Sequence, residues 1–382
     1  MHMKNPTTHS TPFLRYSTAT LGMQPLQVQY PCEPDHEREL SVLRVLRDGV
    51  EVLRMQVHMS AHEAQQARLQ VLAKWDGGGV DTEQSAAVAP LLAALEALCL
   101  AHPDLVQLEL LADDWHAQLP WLQQRGIVRA QGAQWFAQVS MLWQLPDLWL
   151  PTQRAAFPYP QHHVRTGANW HPLRLAKVGG YVYERFIPWL GQSVAFRVAN
   201  VEQDLERLHR WMNAPHVAPF FQEEGDLAYH RNYLQARLDD PHMVPLIAEF
   251  DRQPFGYMEI YWAKENRLGP YYDANDYDRG WHVLVGELAY SGGAWISAWL
   301  PSLMHYLFLD EPRTQRIVGE PAASHVRQVR NLERSGFASI KDFDFAHKRA
   351  TLVMLLREKY FANRLWRPAS GAQSPASTAQ TS

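Results

Sequence analysis

Cysteine is scarce in this sequence: Cys32 and Cys99 are the only two among 382 residues, and neither has the spacing of a metal-ligand or redox motif. A disulfide framework is therefore not indicated, and a reducing compartment fits. Residues 1–13 lack the apolar core of a signal peptide. No apolar run approaches the roughly 18 residues that span a membrane. We therefore expect a cytoplasmic protein with no membrane partner.

A strong charge of either sign is also missing. The chain has 36 lysine and arginine residues against 40 aspartate and glutamate residues, a formal net charge of -4. It thus lacks the basic footprint that nucleic-acid binding requires, and we expect no nucleic-acid partner. Apolar residues make up 46% of the chain, enough for sizeable cores, and the length suggests two domains or one domain with a large extension.

Composition divides the chain into segments. Both ends, 1–13 and 368–382, are polar and rich in serine, threonine or proline, and we expect them to be disordered. Five prolines fall within 146–180, which reads as a linker. The remaining segments, 14–145 and 181–367, are then the two domains.

The C-terminal half alternates strand and helix patterns, which predicts a mixed α/β sheet. The predicted strands are 195–200, 244–251, 254–263, 281–288, 314–321, 337–345 and 349–358. The predicted helices are 204–213, 230–240, 293–309 and 324–336.

The N-terminal half repeats part of this succession. Its predicted elements are a helix at 91–104, a strand at 105–114, a helix at 115–126 and a strand at 134–142. The segments QLELLADD and RIVGEPAA occupy matching places, as do WLQQRGI and NLERSGF. We interpret this as an internal duplication with a degenerate first copy, although two unrelated α/β units would also give this pattern. The glycines of WDGGGVD (75–81) do not open a helix directly, so we expect no matching ligand site in the first copy.

One strand of the C-terminal half carries a histidine. Because side chains alternate along a strand, His282, Leu284 and Gly286 share one face. An imidazole among apolar residues is costly to bury without a partner, and it is also the side chain best suited to take a proton near neutral pH. A hydrogen-bonded core histidine and a catalytic base both fit this pattern.

A glycine pair follows the same strand. Gly292 and Gly293, with Ala294 next, open the long apolar helix predicted at 293–309. Backbone N–H groups that converge at a helix start favour an anion such as pyrophosphate. An ordinary strand-to-helix turn is the alternative.

Four longer motifs make the pattern specific: RWMNAPHVAPFFQEEG (210–225), the aromatic-rich segment 255–287, SLMHYLFLDEPRTQRIVGEP (302–321) and FDFAHKRATLVMLLREKYF (343–361). Over about 170–362 the chain resembles the siderophore-biosynthesis branch of the GCN5-related N-acyltransferase (GNAT) family. The resemblance implies acetyl-CoA or succinyl-CoA as co-substrate and an N-hydroxydiamine or N-hydroxylysine as acceptor. It also implies a hydroxamate product, chemistry without a metal, and a siderophore synthetase as a further partner.

The resemblance also assigns roles to residues. It implies that His282 is the general base. For coenzyme A it implies Leu284, Val285, Gly292, Gly293 and Ala294. For the acceptor it implies Glu259, Tyr261, Trp262, His209, Asn213 and His347. Glu259 is a candidate for holding the distal ammonium of a diamine, and a solvated strand charge is the alternative.

The sequence departs from the family pattern at several positions. The first position of the pyrophosphate loop is Ala289, where a polar or basic residue is usual, and the place of a tyrosine general acid holds Leu332. An aspartate that follows the Glu-Pro pair in some relatives is replaced by Ala322, so Ser324 or His325 becomes the candidate to orient the base. These losses keep two alternatives open: an acyltransferase for an unmodified polyamine, and a non-catalytic acyl-CoA-binding or scaffold protein.

Overall fold

Two units divide the chain in the computed structural model: Met1–Leu148 and Trp149–Ser382. The structure describes residues 16–17, 26–30, 40–60, 65–74, 84–150 and 162–367. Both ends expected to be disordered and the glycine motif at 75–81 lie outside the described residues.

The first unit is built around one sheet. Its elements are β1 (Tyr16–Ser17), β2 (Leu26–Gln29), β3 (Leu40–Arg47), β4 (Val50–Met59), β5 (Gln66–Lys74), α1 (Gln84–Ala101), β6 (Gln107–Leu110), α2 (Ala112–Trp115), α3 (Leu119–Gln124), β7 (Val128–Gln131), β8 (Gln134–Gln138) and α4 (Val139–Leu142). The strands alternate buried and more exposed residues; in β4 the buried ones include Leu53, Met55 and Val57. The apolar helix α1 packs on β2, β3 and β4.

The second unit begins with a separate hairpin and continues into a larger sheet. Its elements are β9 (His163–Thr166), β10 (Asn169–Pro172), β11 (Tyr181–Ile187), β12 (Gln192–Val198), α5 (Val201–Met212), α6 (Ala218–Phe221), α7 (Leu227–Asp239), β13 (Met243–Phe250), β14 (Gln253–Trp262), β15 (Arg279–Val285), α8 (Gly293–Asp310), β16 (Arg316–Gly319), α9 (Val326–Arg334), β17 (Ala338–Asp344), β18 (Arg349–Leu356) and α10 (Arg357–Ala362).

The described strands of the two units follow one topology. The order is β1-β2-β3-β4-β5-β6-β8-β7 in the first unit and β11-β12-β13-β14-β15-β16-β18-β17 in the second. Within both large sheets, neighbours are antiparallel except for one parallel pair, β5 with β6 and β15 with β16. The predicted mixed α/β class is confirmed. The matching order also supports the interpretation of the first unit as a second copy of the same fold.

The parallel pair in the second unit is short. β15 and β16 pair at Arg279 with Ile317 and at Gly280 with Val318, after which β16 ends at Gly319 while β15 runs on to Val285. The second half of β15 therefore has no strand neighbour on this side, and a gap opens between the two strands.

The described part of the Pro-rich segment is ordered rather than a bare linker. β9 and β10 pair as a hairpin, and His163 Nε2 lies 2.8 Å from Oδ2 of Asp276. Arg174 donates two hydrogen bonds, of 2.6 and 2.8 Å, to Glu265. These contacts join residues 162–180 to the rest of the second unit. This portion of the predicted 146–180 linker therefore belongs to that unit.

Several predicted element bounds shift for local reasons. α5 and α7 begin three residues before the predicted starts at 204 and 230, because Asn200 and Asp226 accept capping hydrogen bonds from backbone N–H groups. The strand predicted at 134–142 is split into β8 and α4. The long helix α8 carries His305, which is fully buried beside the Tyr183 hydroxyl. Among the described helices, none is long and apolar enough to cross a lipid bilayer.

Candidate active site

His282 lies on β15 between two buried carboxylates. Its Nδ1 is 3.0 Å from Oε2 of Glu259, and its Nε2 is 2.9 Å from Oε1 of Glu320. The glutamate side chains are 3% and 1% exposed, whereas that of His282 is 23% exposed. We call these three residues the Glu-His-Glu cluster.

Strand register brings the cluster together. Glu259 is the direct neighbour of His282 across the antiparallel pair β14–β15. Glu320 follows the end of β16, and the parallel pairing of Gly280 with Val318 sets the residues two positions further along at the same level. Three separate segments of chain thus meet at the mouth of the gap between β15 and β16.

The cluster favours a cationic histidine. A neutral imidazole donates from only one nitrogen, whereas both nitrogens of His282 face carboxylates. Burial lowers the pKa of His282, but the charge of Glu320 and the hydrogen bonds to both glutamates raise it to about 9. Burial raises the pKa of Glu259, but the hydrogen bond and charge of His282 outweigh it and lower the pKa to about 2. Burial also raises the pKa of Glu320, but the charge of His282 outweighs it and holds that pKa well below its usual range.

The role of general base that the resemblance implies for His282 stays a prediction. A pKa of about 9 favours the imidazolium form, in which both N–H groups are engaged and no lone pair is left to take another proton. Proton transfer at this site must therefore involve the carboxylates, and the three groups titrate together rather than one by one.

Tyrosine hydroxyls and an arginine satisfy the remaining carboxylate oxygens. Tyr257 donates to Oε1 of Glu259 at 3.1 Å, Tyr233 donates to the same atom, and Arg237 Nε lies 3.2 Å from it. Glu259 is thus not a solvated strand charge, since it is buried, and its role in holding a substrate ammonium stays a prediction. Buried charges are costly unless they are paired and hydrogen-bonded in this way.

Glu320 has its own set of partners. Tyr261, 1% exposed, donates from its hydroxyl to Oε2 at 2.9 Å. Arg267 Nη2 lies 3.1 Å from Oε1 of Glu320 and 3.4 Å from Nε2 of His282. Glu320 therefore stands where Ser324 or His325 was expected to orient the histidine. Sequence reasoning missed Glu320 and Arg267, and the only signal for Glu320 was its place directly after a short strand.

The free edge of β15 faces the gap. The N–H of Gly286 donates to Phe255 at 2.8 Å, and the carbonyl oxygen of Leu284 would lie 2.6 Å from a Cβ on Gly256, so both residues direct their backbone groups toward β14. Backbone direction alternates along a strand, so Val285 points the other way. Its carbonyl lies 3.2 Å from Nε2 of His216.

The start of α8 offers a second open surface. Gly292 has a φ of 104°, a conformation that favours glycine, and α8 begins at the next residue. A Cβ on either Gly292 or Gly293 would meet nothing within 4 Å. The first N–H groups of a helix have no partner within it and carry partial positive charge, which suits a pyrophosphate.

Known proteins share these sequence features. A model of the acetyltransferase (GNAT) domain matches residues 200–345. The N(6)-hydroxylysine O-acetyltransferase of Escherichia coli is 38% identical over 270 residues, which cover 70% of this chain and 84% of that protein. The chain belongs to the GNAT acetyltransferase family.

Two further similarities cover about half of this chain. The N(5)-hydroxyornithine:cis-anhydromevalonyl coenzyme A-N(5)-transacylase of Beauveria bassiana is 44% identical over 208 residues, which cover 53% of this chain and 45% of that protein. This chain thus spans less than half of the fungal relative. A solved structure of an uncharacterized protein from Bacillus halodurans has a TM-score of 0.47 at 27% identity and covers 50% of this chain and 96% of its own.

This GNAT acetyltransferase is an acyltransferase that uses an acyl-CoA donor. The β15 edge at Val285 lies beyond the last pairing with β16, and the start of α8 has open space at Gly292 and Gly293, so both places suit a donor of that kind. The roles implied for Leu284 and Ala294 stay predictions; the backbone of Leu284 faces β14, and its side chain lies in a buried cluster that includes Trp211 and Tyr257. In the described part of the chain no cluster of three or more His, Cys, Asp or Glu side chains is placed to hold a metal ion, and metal-free chemistry stays a prediction.

The other acceptor residues implied by the resemblance lie in different places. Trp262 is on the opposite face of β14 from Glu259, where the guanidinium groups of Arg174 and Arg279 each lie 4.2 Å from its ring. It is therefore not beside His282, because successive residues of a strand face opposite sides of the sheet. Tyr261 is on the correct face, but its hydroxyl is committed to Glu320.

His209 and Asn213 hold the connection between α5 and α7. His209 Nδ1 lies 2.9 Å from Nδ1 of His230, and the side-chain amide of Asn213 donates to the carbonyl of Gly225 at 2.9 Å. Both side chains are thus hydrogen-bonded to nearby segments of the same protein, and neither is hydrogen-bonded to the Glu-His-Glu cluster. His347 is exposed at the rim of the site and stacks on Phe345, with 5.4 Å between ring centroids.

The first unit carries no equivalent of the cluster at the matching strand positions. Strand pairing aligns Gln56, Gln70 and Leu111 of the first unit with Glu259, His282 and Glu320 of the second. None of these three is charged at neutral pH, and Gln70 is exposed to solvent. The first unit thus lacks the three groups of the cluster at these positions, and the expectation that it has no matching ligand site stays a prediction.

Proposed function

We propose that this acetyltransferase moves the acyl group of a coenzyme A thioester to the hydroxylated nitrogen of an N-hydroxyamine and so forms a hydroxamate. The observation that carries the proposal is the Glu-His-Glu cluster at the mouth of the gap where β15 leaves β16. The names of the relatives from E. coli and B. bassiana, which refer to N(6)-hydroxylysine and N(5)-hydroxyornithine, support this class of acceptor.

The reaction that we propose is a direct transfer. The hydroxylamine nitrogen attacks the thioester carbonyl carbon, a C–N bond forms, and the C–S bond breaks. The nitrogen loses one proton and the departing thiolate gains one, so that free coenzyme A and the hydroxamate result. Holding the two substrates together in the gap supplies much of the rate, because it replaces a chance encounter with a fixed geometry.

The Glu-His-Glu cluster is suited to late removal of the proton. An N-hydroxyamine is largely neutral at pH 7 and needs no prior deprotonation, whereas the nitrogen becomes strongly acidic once it has attacked the carbonyl. A carboxylate is a sufficient base at that stage. Glu320 shares an oxygen with the partly exposed Arg267 and so stands at the open end of the cluster. The His282 imidazolium then balances the charge of the two glutamates.

A thiol-release assay tests the proposal. Acetyl-CoA and succinyl-CoA are each mixed with N6-hydroxylysine, N-hydroxycadaverine and the corresponding unhydroxylated amines. We expect release of free coenzyme A with at least one hydroxylated acceptor and at least tenfold less with its plain amine. Equal turnover of the plain amine would instead indicate a polyamine acyltransferase. Tight acyl-CoA binding without thiol release from any pair would indicate a binding protein.

Transfer to the hydroxyl oxygen of the same acceptor is the second candidate. It is favoured by the name of the E. coli relative, which is an O-acetyltransferase. The two products are distinguished by chemistry: a hydroxamate forms a coloured iron(III) complex and resists neutral hydroxylamine, whereas an O-acyl ester does neither. We expect the hydroxamate, because nitrogen is the better nucleophile of the pair at neutral pH.

Two associated expectations stay predictions. A hydroxamate is an iron(III) ligand, so a siderophore synthetase that condenses the product is the expected next enzyme. The cytoplasmic location fits a reaction that draws on acyl-CoA.

A further inference from the structure

Positive charge surrounds the open side of the Glu-His-Glu cluster. The Arg267 side chain is 47% exposed and lies within 3.4 Å of both Glu320 and His282. Lys348 Nζ donates to the main-chain carbonyl of Glu320 at 2.8 Å. Both groups lie near the ring of Phe345: the Arg267 guanidinium is 5.5 Å and the Lys348 ammonium 5.7 Å from its centroid. We call Arg267 and Lys348 the cationic rim.

The rim cations act on a third group. Burial lowers the pKa of His347, the charges of Arg267 and Lys348 lower it further, and the charge of Glu320 opposes them. His347 is exposed and stacks on Phe345, the ring that both cations also contact, so the two cations lie close to the solvent side of the site.

Glu320 is the carboxylate that opposes this field, and three aspartates of neighbouring segments are paired with other groups. Asp278 receives hydrogen bonds from Arg316 and Tyr272. Asp276 is bound by Lys264 and His163. Asp344 lies 3.5 Å from Nη1 of Arg349 at the surface.

The glutamates of the cluster are equally committed. Both oxygens of Glu259 and both oxygens of Glu320 have hydrogen-bond donors within the cluster and its shell. A substrate ammonium at the rim would therefore meet cations and no free carboxylate. A substrate carboxylate would meet two cations.

Arg267 has capacity left for such a group. Its hydrogen bond to Glu320 uses a single nitrogen, Nη2. A guanidinium presents five N–H donors in a planar fork that matches the two oxygens of a carboxylate. Paired hydrogen bonds of this type are among the strongest in proteins, and they fix orientation as well as affinity.

We propose that Arg267, with Lys348 beside it, forms a subsite for a carboxylate carried by a substrate. Two sources supply that chemistry: the α-carboxylate of an N-hydroxy-amino acid acceptor, and the distal carboxylate of a dicarboxylic acyl group. The subsite rests on the proposed function, since it lies within 3.4 Å of the proposed reacting histidine. It gives the acetyltransferase a way to reject simple N-hydroxydiamines.

The test compares four substrate pairs in wild type and Arg267→Gln. The pairs combine acetyl-CoA or succinyl-CoA with N6-hydroxylysine or N-hydroxycadaverine, which differ only in the α-carboxylate. We expect the substitution to lower kcat/KM about 10- to 100-fold for pairs that contain the recognised carboxylate, mainly through KM. Acetyl-CoA with N-hydroxycadaverine has no carboxylate at the reacting end and is the reference pair, because its loss reports only the contact of Arg267 with Glu320; the loss for every other pair is measured relative to it.

The arms of the experiment identify the source of the carboxylate. A loss confined to the N6-hydroxylysine pairs assigns the subsite to the acceptor, and a loss confined to the succinyl-CoA pairs assigns it to the acyl group. An equal loss for all four pairs would overturn the proposal, because Arg267 would then only position Glu320 and His282. No loss for any pair would overturn it as well.

Two controls keep the outcome separate from folding and from the proposed function. Arg252 is likewise partly exposed, at 51%, and bound to a glutamate, but it lies at the β13–β14 turn. Arg252→Gln should therefore leave kcat/KM unchanged for all four substrate pairs. Calorimetry measures the affinity of wild type and of Arg267→Gln for N6-hydroxylysine and for N-hydroxycadaverine, and so tests the subsite without turnover. If no pair turns over, the proposed function fails, and the binding difference still decides whether the carboxylate subsite exists.

Discussion

At the scale of single residues, we expect His282 to determine how the enzyme responds to pH. Two buried carboxylates raise its pKa to about 9, so the imidazolium is the form present at neutral pH. A group whose pKa is raised in the folded protein contributes its favourable interactions fully below its ordinary pKa and loses them as the pH rises through the shifted value. The cluster is therefore intact at neutral pH and lost above about pH 9.

The first prediction follows from this titration. In wild type we expect kcat/KM to fall as the pH passes about 9, where His282 loses its proton. In Glu259→Gln the histidine loses one of its two carboxylates, so the falling limb should move to lower pH by about one unit or more. The measurement is kcat/KM between pH 6 and pH 11 for both proteins.

A matched control is available for that substitution. Glu249→Gln also neutralises a buried glutamate, 3% exposed, which binds Arg197 and Tyr181 instead of the histidine. It should leave the pH profile of wild type unchanged. A wild-type kcat/KM that rises through pH 9 would show that the neutral imidazole is the active form and would contradict a reacting centre that depends on the imidazolium.

Part of the site could be predicted from residues alone. His282 is recognisable because an imidazole interrupts an apolar strand and needs a partner. Glu320 could not be identified in the same way, because its contact with His282 depends on the register of two parallel strands that are far apart in sequence. Glu259 was singled out, but its surroundings were not, since Tyr233 and Arg237 approach it from the distant helix α7 and the sequence does not show that Glu259 is buried.

At the scale of elements, the start of α8 should decide coenzyme A affinity. Gly293 is the first residue of the helix and has open space around its Cα. In Gly293→Asp the new carboxylate should suit the positive end of the helix and leave stability unchanged or slightly higher, by up to about 1 kcal/mol. The same charge should repel a pyrophosphate, so we expect the Kd for coenzyme A to rise about tenfold or more.

Calorimetry with coenzyme A, together with thermal unfolding, checks this second prediction. Gly293→Asn has nearly the same shape without the charge, and its Kd should stay within about threefold of wild type. If the aspartate and asparagine variants bind coenzyme A equally well, the pyrophosphate does not lie at this helix start.

Element prediction succeeded where the pattern was strong and local. α8 is a long apolar helix after a glycine pair, and it was found almost to the residue. The β9–β10 hairpin was missed, because its prolines and polar residues resemble a linker, and what orders it is distant pairing such as Arg174 with Glu265. β3, β4 and β5 were also missed, although the alternating burial of β4 and β5 is typical of strands with one buried face.

At the scale of the whole molecule, two sheets share one strand order and one position for the parallel pair. We propose that the units arose by duplication and that the first lost the reacting groups, since Gln56, Gln70 and Leu111 stand at the positions of the Glu-His-Glu cluster. Sequence offsets between short motifs suggested this relation, but only the pairing of strands identifies which residues correspond.

The most direct test of the central claim is a single-turnover measurement on His282→Gln and on its counterpart in the first unit, Gln70→Ala. Each protein is loaded with acyl-CoA, mixed with N6-hydroxylysine and followed by thiol release and by the iron(III) complex of the product. We predict that His282→Gln binds acyl-CoA within about twofold of wild type but forms hydroxamate at least about 100-fold more slowly, whereas Gln70→Ala reacts at the wild-type rate. A His282→Gln protein that reacts as fast as wild type would show that the Glu-His-Glu cluster is not the reacting centre.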